Sequence, residues 1–191
     1  DEPDDENEKY TMFLNYNKDL KDFIEICPKH NTDFPDTLSD QISIARHFGV
    51  DTPLLDWTHN VLVAIYFAVN KMFSVTDAPQ YPASFVYHIP DENILSEGIP
   101  GDFESLSKYK SSSYVNPYNI DRRIDRQKAA FTFHPHPSFN PYPIEVDVYI
   151  LGRDFMEELM HILLGLGFTY DYFFPDYAGL SEYVSEKPEI F

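Results

Sequence analysis

The chain has 191 residues, 32 of them acidic and 14 basic, for a net charge of −18. Phosphate contact dominates nucleic-acid affinity, so this balance excludes a general nucleic-acid binder, and an acidic surface suits solubility, cations or basic partners. Hydrophobic content of 43% is globular, the single Cys27 excludes an internal disulfide framework, and no apolar run approaches the roughly 18 residues of a membrane span.

Residues 1–9 read as a disordered acidic tail, and 10–191 as one domain. The start is not that of a signal peptide, and it lacks Met, so the chain is expected to be a fragment or processed. One cysteine fits a reducing compartment, and the expected location is the cytoplasm.

A helix is expected from about Tyr10 to Ile26, with Met12, Phe13, Tyr16, Leu20, Phe23 and Ile24 on one face and Pro28 after its end. A second begins near Thr37 or Ser39, runs to His47 and stops at Gly49, a natural left-handed cap. Pro53 then forbids helix and extends Thr52. Asp56 or Thr58 can cap a third helix, about His59 to Phe73, which is apolar nearly all round and is therefore expected to be buried.

Val75 to Pro82 reads as a turn region and Ala83 to Ile89 as a strand. Asp91 to Asn119 is irregular, a length typical of functional loops. Arg122, Arg123, Arg126 and Lys128 form the basic cluster of an acidic chain. Ala130 to His134 reads as a strand. Ile144 to Ile150 alternates apolar and polar, the mark of a half-buried strand. Helices follow at about Arg153 to Leu166 and Tyr177 to Glu186. The expected fold is α+β: a helical N-terminal half, a buried central helix, short and mostly antiparallel strands, and a helical C-terminus.

The stretch His47-Phe48-Gly49, Thr52, then Leu54-Leu55-Asp56-Trp57-Thr58, then Tyr66-Phe67-Ala68 resembles the signature of the FRG (Phe-Arg-Gly) domain family. That signature reads Gln-His-Tyr-Gly, Thr-Arg-Leu-Leu-Asp-Trp-Thr and an apolar helix ending Tyr-Phe-Ala. Arg46 stands here in place of the Gln, and Pro53 in place of the Arg. A second block is similar over Arg123 to Thr132, with Ala129 replacing a usual Gly. A third is similar over Gly167-Phe168-Thr169, Phe174-Pro175-Asp176, Gly179 and Leu180. Together the blocks cover about Asp40 to Val184. No Phe-Arg-Gly occurs in the chain. The family has no settled activity, so the resemblance implies a domain type and no reaction.

His47 reads either as a proton donor, base or ligand contact, or as a core histidine bonded to backbone. Asp56 reads as a general base, as a group that orients His47, or as a helix cap, and Thr58 shares that ambiguity. Trp57 reads as a stacking surface or a core residue with its indole N–H paired. Arg123 and Gln127 lie one helical turn apart and share a face. Arg123 suits a phosphate or carboxylate, or pairs with the chain's own acids. Gln127 can orient but cannot act as a base. His134 and His136 have a spacing two zinc ligands can use, but Pro135 and Pro137 interrupt the strand and no metal is expected.

Two functions are carried forward. The first is a nucleotide- or anion-handling domain, with His47, Asp56 and Gln127 as catalytic candidates. Trp57, Thr58, Arg123, Thr132 and His134 are its binding candidates. By fold-level analogy this is compatible with an ADP-ribosyltransferase-like reaction, with NAD as the cofactor and Glu145 the least poor candidate for its glutamate. The second is a non-enzymatic module that binds a small ligand or a protein partner of unknown identity.

Overall fold

The structure is a computed structural model that describes residues 6–70, 83–90, 95–109, 111–134 and 144–186. The turn region expected at 75–82, His136 and the first five residues of the acidic tail lie outside the described residues. The architecture is α+β, as expected. The chain divides into two compact units.

The first unit comprises residues 1–57, 94–120 and 130–144. Its N-terminal helix starts at Glu6, earlier than expected, and breaks once. α1 (Glu6–Tyr16) and α2 (Lys18–Ile26) meet at Asn17, whose side-chain Nδ2 donates to the Phe13 carbonyl at 2.9 Å. A 3-10 turn, Cys27–Lys29, carries Pro28 and ends the helical run. α3 (Leu38–His47) starts at Thr37, whose hydroxyl accepts from the Asp40 amide at 3.2 Å. It ends at Gly49, with φ of 81°, a conformation that glycine adopts without steric cost.

The chain then enters β1 (Leu54–Thr58). β1 lies beside β4 (Ala129–Phe133), which pairs antiparallel with β3 (Ser113–Val115) through Ser113↔Phe133 and Val115↔Phe131. The His134 amide donates to the Pro53 carbonyl at 2.8 Å, which fixes the β1–β4 register. The stretch expected to be irregular holds α5 (Phe103–Lys108) and β3. α5 is short and its signal local: Asp102 caps it by accepting from the Ser105 amide at 2.8 Å. Leu20, Ile42, Ala45, Leu106, Val115 and Phe133 form the core of this unit, each no more than 1% exposed.

The second unit comprises 58–93, 121–129 and 145–191. Its central helix is α4 (Val61–Val69), which starts later than expected, while the expected end at Phe73 lies outside the described residues; its N-cap is Asn60. The Asn60 Oδ1 accepts from the Leu62 amide at 2.9 Å, so neither Asp56 nor Thr58 caps it. The cap sits later because Asp56 and Thr58 are strand residues of β1. Val63, Tyr66 and Val69 are buried, whereas Val61 and Phe67 are exposed. The helix thus buries one face fully, and its apolar circumference overstated the rest. Phe67 nevertheless stays in aromatic contact, 5.4 Å from the Phe173 ring. Burial pushes the Tyr66 hydroxyl up to about 12.

β2 (Ala83–His88) and β5 (Asp147–Gly152) form an antiparallel pair, with α4 and α7 (Arg153–Gly165) packed on it. β5 begins at Asp147, after the expected start at Ile144, and its alternation is not half-burial: Val148 and Ile150 are exposed and only Leu151 is buried. The short α6 (Arg122–Arg126), α8 (Tyr170–Phe173) and α9 (Tyr177–Glu186) complete the unit. Leu151, Met156, Met160, Leu163 and Phe173 pack with the buried face of α4.

Candidate functional site

The candidates divide between the two units. His47, Asp56, Trp57, Thr132 and His134 belong to the first, and Thr58, Arg123 and Gln127 to the second.

In the first unit, Arg46 lies in the last turn of α3 and grips Asp56 on β1. Its Nε lies 3.2 and 3.1 Å from the two carboxylate oxygens, and its Nη2 donates to Oδ2. Asp56 and its hydrogen bonds keep the Arg46 charge fixed, and raise its pKa above the ordinary value. Asp56 is therefore not a helix cap; its carboxylate is held by Arg46. His47 is half-buried, its ring edge-on to Phe48 at 5.1 Å.

Trp57 does not present its indole N–H to a ligand. Nε1 donates to the Thr132 Oγ1 at 2.8 Å, and that oxygen lies 2.6 Å from His134 Nε2. The proton order follows from the donors available. Trp Nε1 can only donate, so Thr132 Oγ1 accepts there. Thr132 is 2% exposed, and its own hydroxyl proton needs an acceptor. His134 Nε2 supplies it, which places the imidazole proton on Nδ1 and leaves the ring neutral. Burial acts in the same direction, lowering the pKa of His134 below its ordinary value.

In the second unit, Thr58 donates its hydroxyl to the Gln127 carbonyl at 2.7 Å and accepts from the Asn60 amide at 3.1 Å. The basic cluster forms α6, capped by Asp121, whose Oδ1 accepts from the Arg123 amide at 2.7 Å. Arg123 and Gln127 do share a face, and both reach the 173–176 stretch. Arg123 pairs with Asp176 through Nε–Oδ2 and through Nη2–Oδ1 at 2.6 Å, and its guanidinium lies 5.1 Å from the Phe174 ring. Gln127 Nε2 donates to the Phe173 carbonyl at 3.4 Å. Arg126 donates to the Tyr172 carbonyl at 2.7 Å and lies over the Tyr172 ring.

Asp176 is held by Arg123 well below the usual carboxylate range, and its Oδ1 also accepts from the Gly179 amide at 3.0 Å, capping α9. An open hollow of about 220 Å³ beside this pair is lined by Asp121, Arg122, Arg123, Pro175 and Asp176. Arg122 is exposed at its rim.

Sequence reasoning missed the two counter-ions. Arg46 carried a signal only as the residue in place of a Gln. Asp176 carried one as the acid of a Phe-Pro-Asp block, but pairing it with Arg123 needs contact across 53 positions. Glu145 is exposed and precedes β5. Among the described residues, no three His, Cys, Asp or Glu side chains gather as a metal site would require.

These observations define an α+β protein in which Asp56 is bound by Arg46, Trp57 by Thr132 and Thr58 by the Gln127 carbonyl. Residues 2–76 match the model of the FRG domain family, so the chain carries an FRG domain match over its first part. The match contains the His47 and Asp56-Trp57-Thr58 stretch; the later blocks from Arg123 onward lie beyond it. No curated protein and no solved structure matches the chain.

Proposed function

We propose that the protein is a non-enzymatic binding module. What supports this reading is the pairing of its charged candidates. Asp56 is held by Arg46, and Arg123 by Asp176. A general base or an anion clamp needs a charge available to substrate, and these charges are already balanced. Trp57, Thr132 and His134 likewise satisfy one another's polar atoms. Such pairs hold a scaffold in one geometry.

A nucleotide- or anion-handling role is the second reading, favoured by the hollow that Arg122 and Arg123 line. One experiment separates the two. Thermal melts are recorded with phosphate, sulfate, ADP and NAD, on the wild type and on Arg123→Ala. A ligand that binds only the folded state must raise the melting temperature. The module reading expects no shift that depends on Arg123. A shift with NAD or ADP that disappears in a folded Arg123→Ala protein overturns it in favour of the second reading.

A further inference from the structure

Among the described residues, the two-stranded sheet of the second unit has one covered and one exposed face. α4 packs on β2, and α7 on both strands. Side chains alternate across a sheet, so the register sorts them. Phe85 pairs with Ile150, and Tyr87 with Val148, on one face. Val86 and Leu151 point the other way and join the core. The four residues of the first set are 51, 67, 52 and 50% exposed, in the order Phe85, Ile150, Tyr87, Val148. They form a contiguous block of large apolar side chains with no charge on its surface, and blocks of this kind mark interaction sites. Within this two-stranded sheet each strand also has one edge without a strand beside it.

We propose that this face binds a cationic amphipathic segment of another protein, its apolar side chains on the Phe85–Tyr87–Val148–Ile150 block and its Lys or Arg residues at the rim. The inference rests on the binding-module reading and names the partner's chemistry. Charge selects the occupant. A second copy would bring another −18, and an anionic lipid surface would meet the same repulsion. Asp154 is exposed just past the end of β5, beside Arg153, and the attraction for a basic rim comes from the net charge of −18. The apolar block supplies the buried contact, and the long-range field supplies the steering.

The test uses three short labelled peptides with the whole protein: alternating Val and Lys, alternating Val and Glu, and alternating Ser and Lys. Fluorescence anisotropy reads their binding to the wild type, Tyr87→Ser and Ile150→Ser. Both substitutions are at exposed positions and leave the net charge unchanged. The expected result is binding of the Val/Lys peptide, about tenfold weaker to each variant, with unaltered melts. Equal binding of Ser/Lys, or a Val/Lys affinity that neither variant changes, reduces the effect to charge alone and overturns the proposal. Equal or tighter binding of Val/Glu overturns the cationic partner while leaving the module reading in place. No binding by any peptide overturns the proposed occupant. A dimer in sedimentation that Ile150→Ser dissociates overturns it in favour of a second copy. NAD turnover would overturn the module reading instead, and is measured separately.

Discussion

Replacing Asp176 tests whether the basic cluster exists to hold the scaffold. Its carboxylate does two jobs: it forms the two-point pair with Arg123 and caps α9 at the Gly179 amide. Both partners of the pair are at most one third exposed, so it should exceed a fully solvated pair and contribute about 1 kcal/mol or slightly more. The cap contributes about 1 kcal/mol. Asp176→Ala loses both, about 2 kcal/mol in total, since groups in one network do not add strictly. Asp176→Asn keeps a capping oxygen and loses the charge, so about 1 kcal/mol. For a chain of this size these correspond to melting shifts of about 4–8 °C and 2–4 °C. The pH dependence gives an internal control. A carboxylate with a depressed pKa stabilises the fold above its unfolded value, and that stability is lost as pH falls through the folded value. The wild-type advantage over Asp176→Asn should therefore be complete near pH 7 and shrink as pH drops below the ordinary 3.8. Urea melts of the three proteins at neutral and acidic pH measure this. An Ala variant within about 0.3 kcal/mol of wild type would refute the reasoning, as would a wild-type advantage over Asn that persists unchanged in acid.

The Thr132→Val variant keeps the shape but leaves the Trp57 N–H and His134 Nε2 without their partner, and should lose about 2–3 kcal/mol in a urea melt. Because burial favours neutral His134, its contribution is present above the ordinary value of 6.5 and declines as pH falls below it; His134→Gln should flatten that part of the stability profile between pH 8 and 5. Gly179→Ala would place a Cβ 2.4 Å from Phe174 Cβ and 2.7 Å from its carbonyl oxygen, so a net loss of about 2 kcal/mol is expected in spite of alanine's better helix propensity; a rise in melting temperature would show that the close approach is absent.

Local signals were legible in the sequence wherever a residue type has one physical reason to be in place. Thr37 begins α3 because its hydroxyl satisfies a free amide, and Gly49 ends it because the turn requires positive φ. Pro28 and the Tyr177 to Glu186 span behave in the same way. Legibility failed where two reasons compete. Asp56 and Thr58 are good caps and also acceptable strand residues, and the register to β4, set by contacts more than seventy positions away, decides for strand. Alternation in β5 was readable as strand but not as burial, because the apolar set at Val148 and Ile150 faces outward. A period of two says that two faces differ; it does not say which one is covered. Lys128 shows the same limit at backbone scale. Its φ of 47° is unusual for a residue with a Cβ, and nothing in its own side chain announces it.

The departures from the family pattern bear on what the signature is for. The pattern has a Gln before the His and an Arg before Leu-Leu-Asp; this chain has Arg46 and Pro53 in those places. The guanidinium at 46 is the group that holds Asp56, from the last turn of α3 across to β1. Pro53 sets the extended backbone that starts β1, and its carbonyl accepts the His134 amide. Each substituted position is thus tied to the same strand. The three residues of Asp56-Trp57-Thr58 then spend their polar atoms in three directions: on Arg46, on Thr132 and on the Gln127 carbonyl. Each of these side chains is satisfied inside the protein, which offsets the conformational freedom it gives up. These three bonds support the proposed binding-module reading, in which the signature holds structure and recognition falls to the proposed apolar face of β2 and β5.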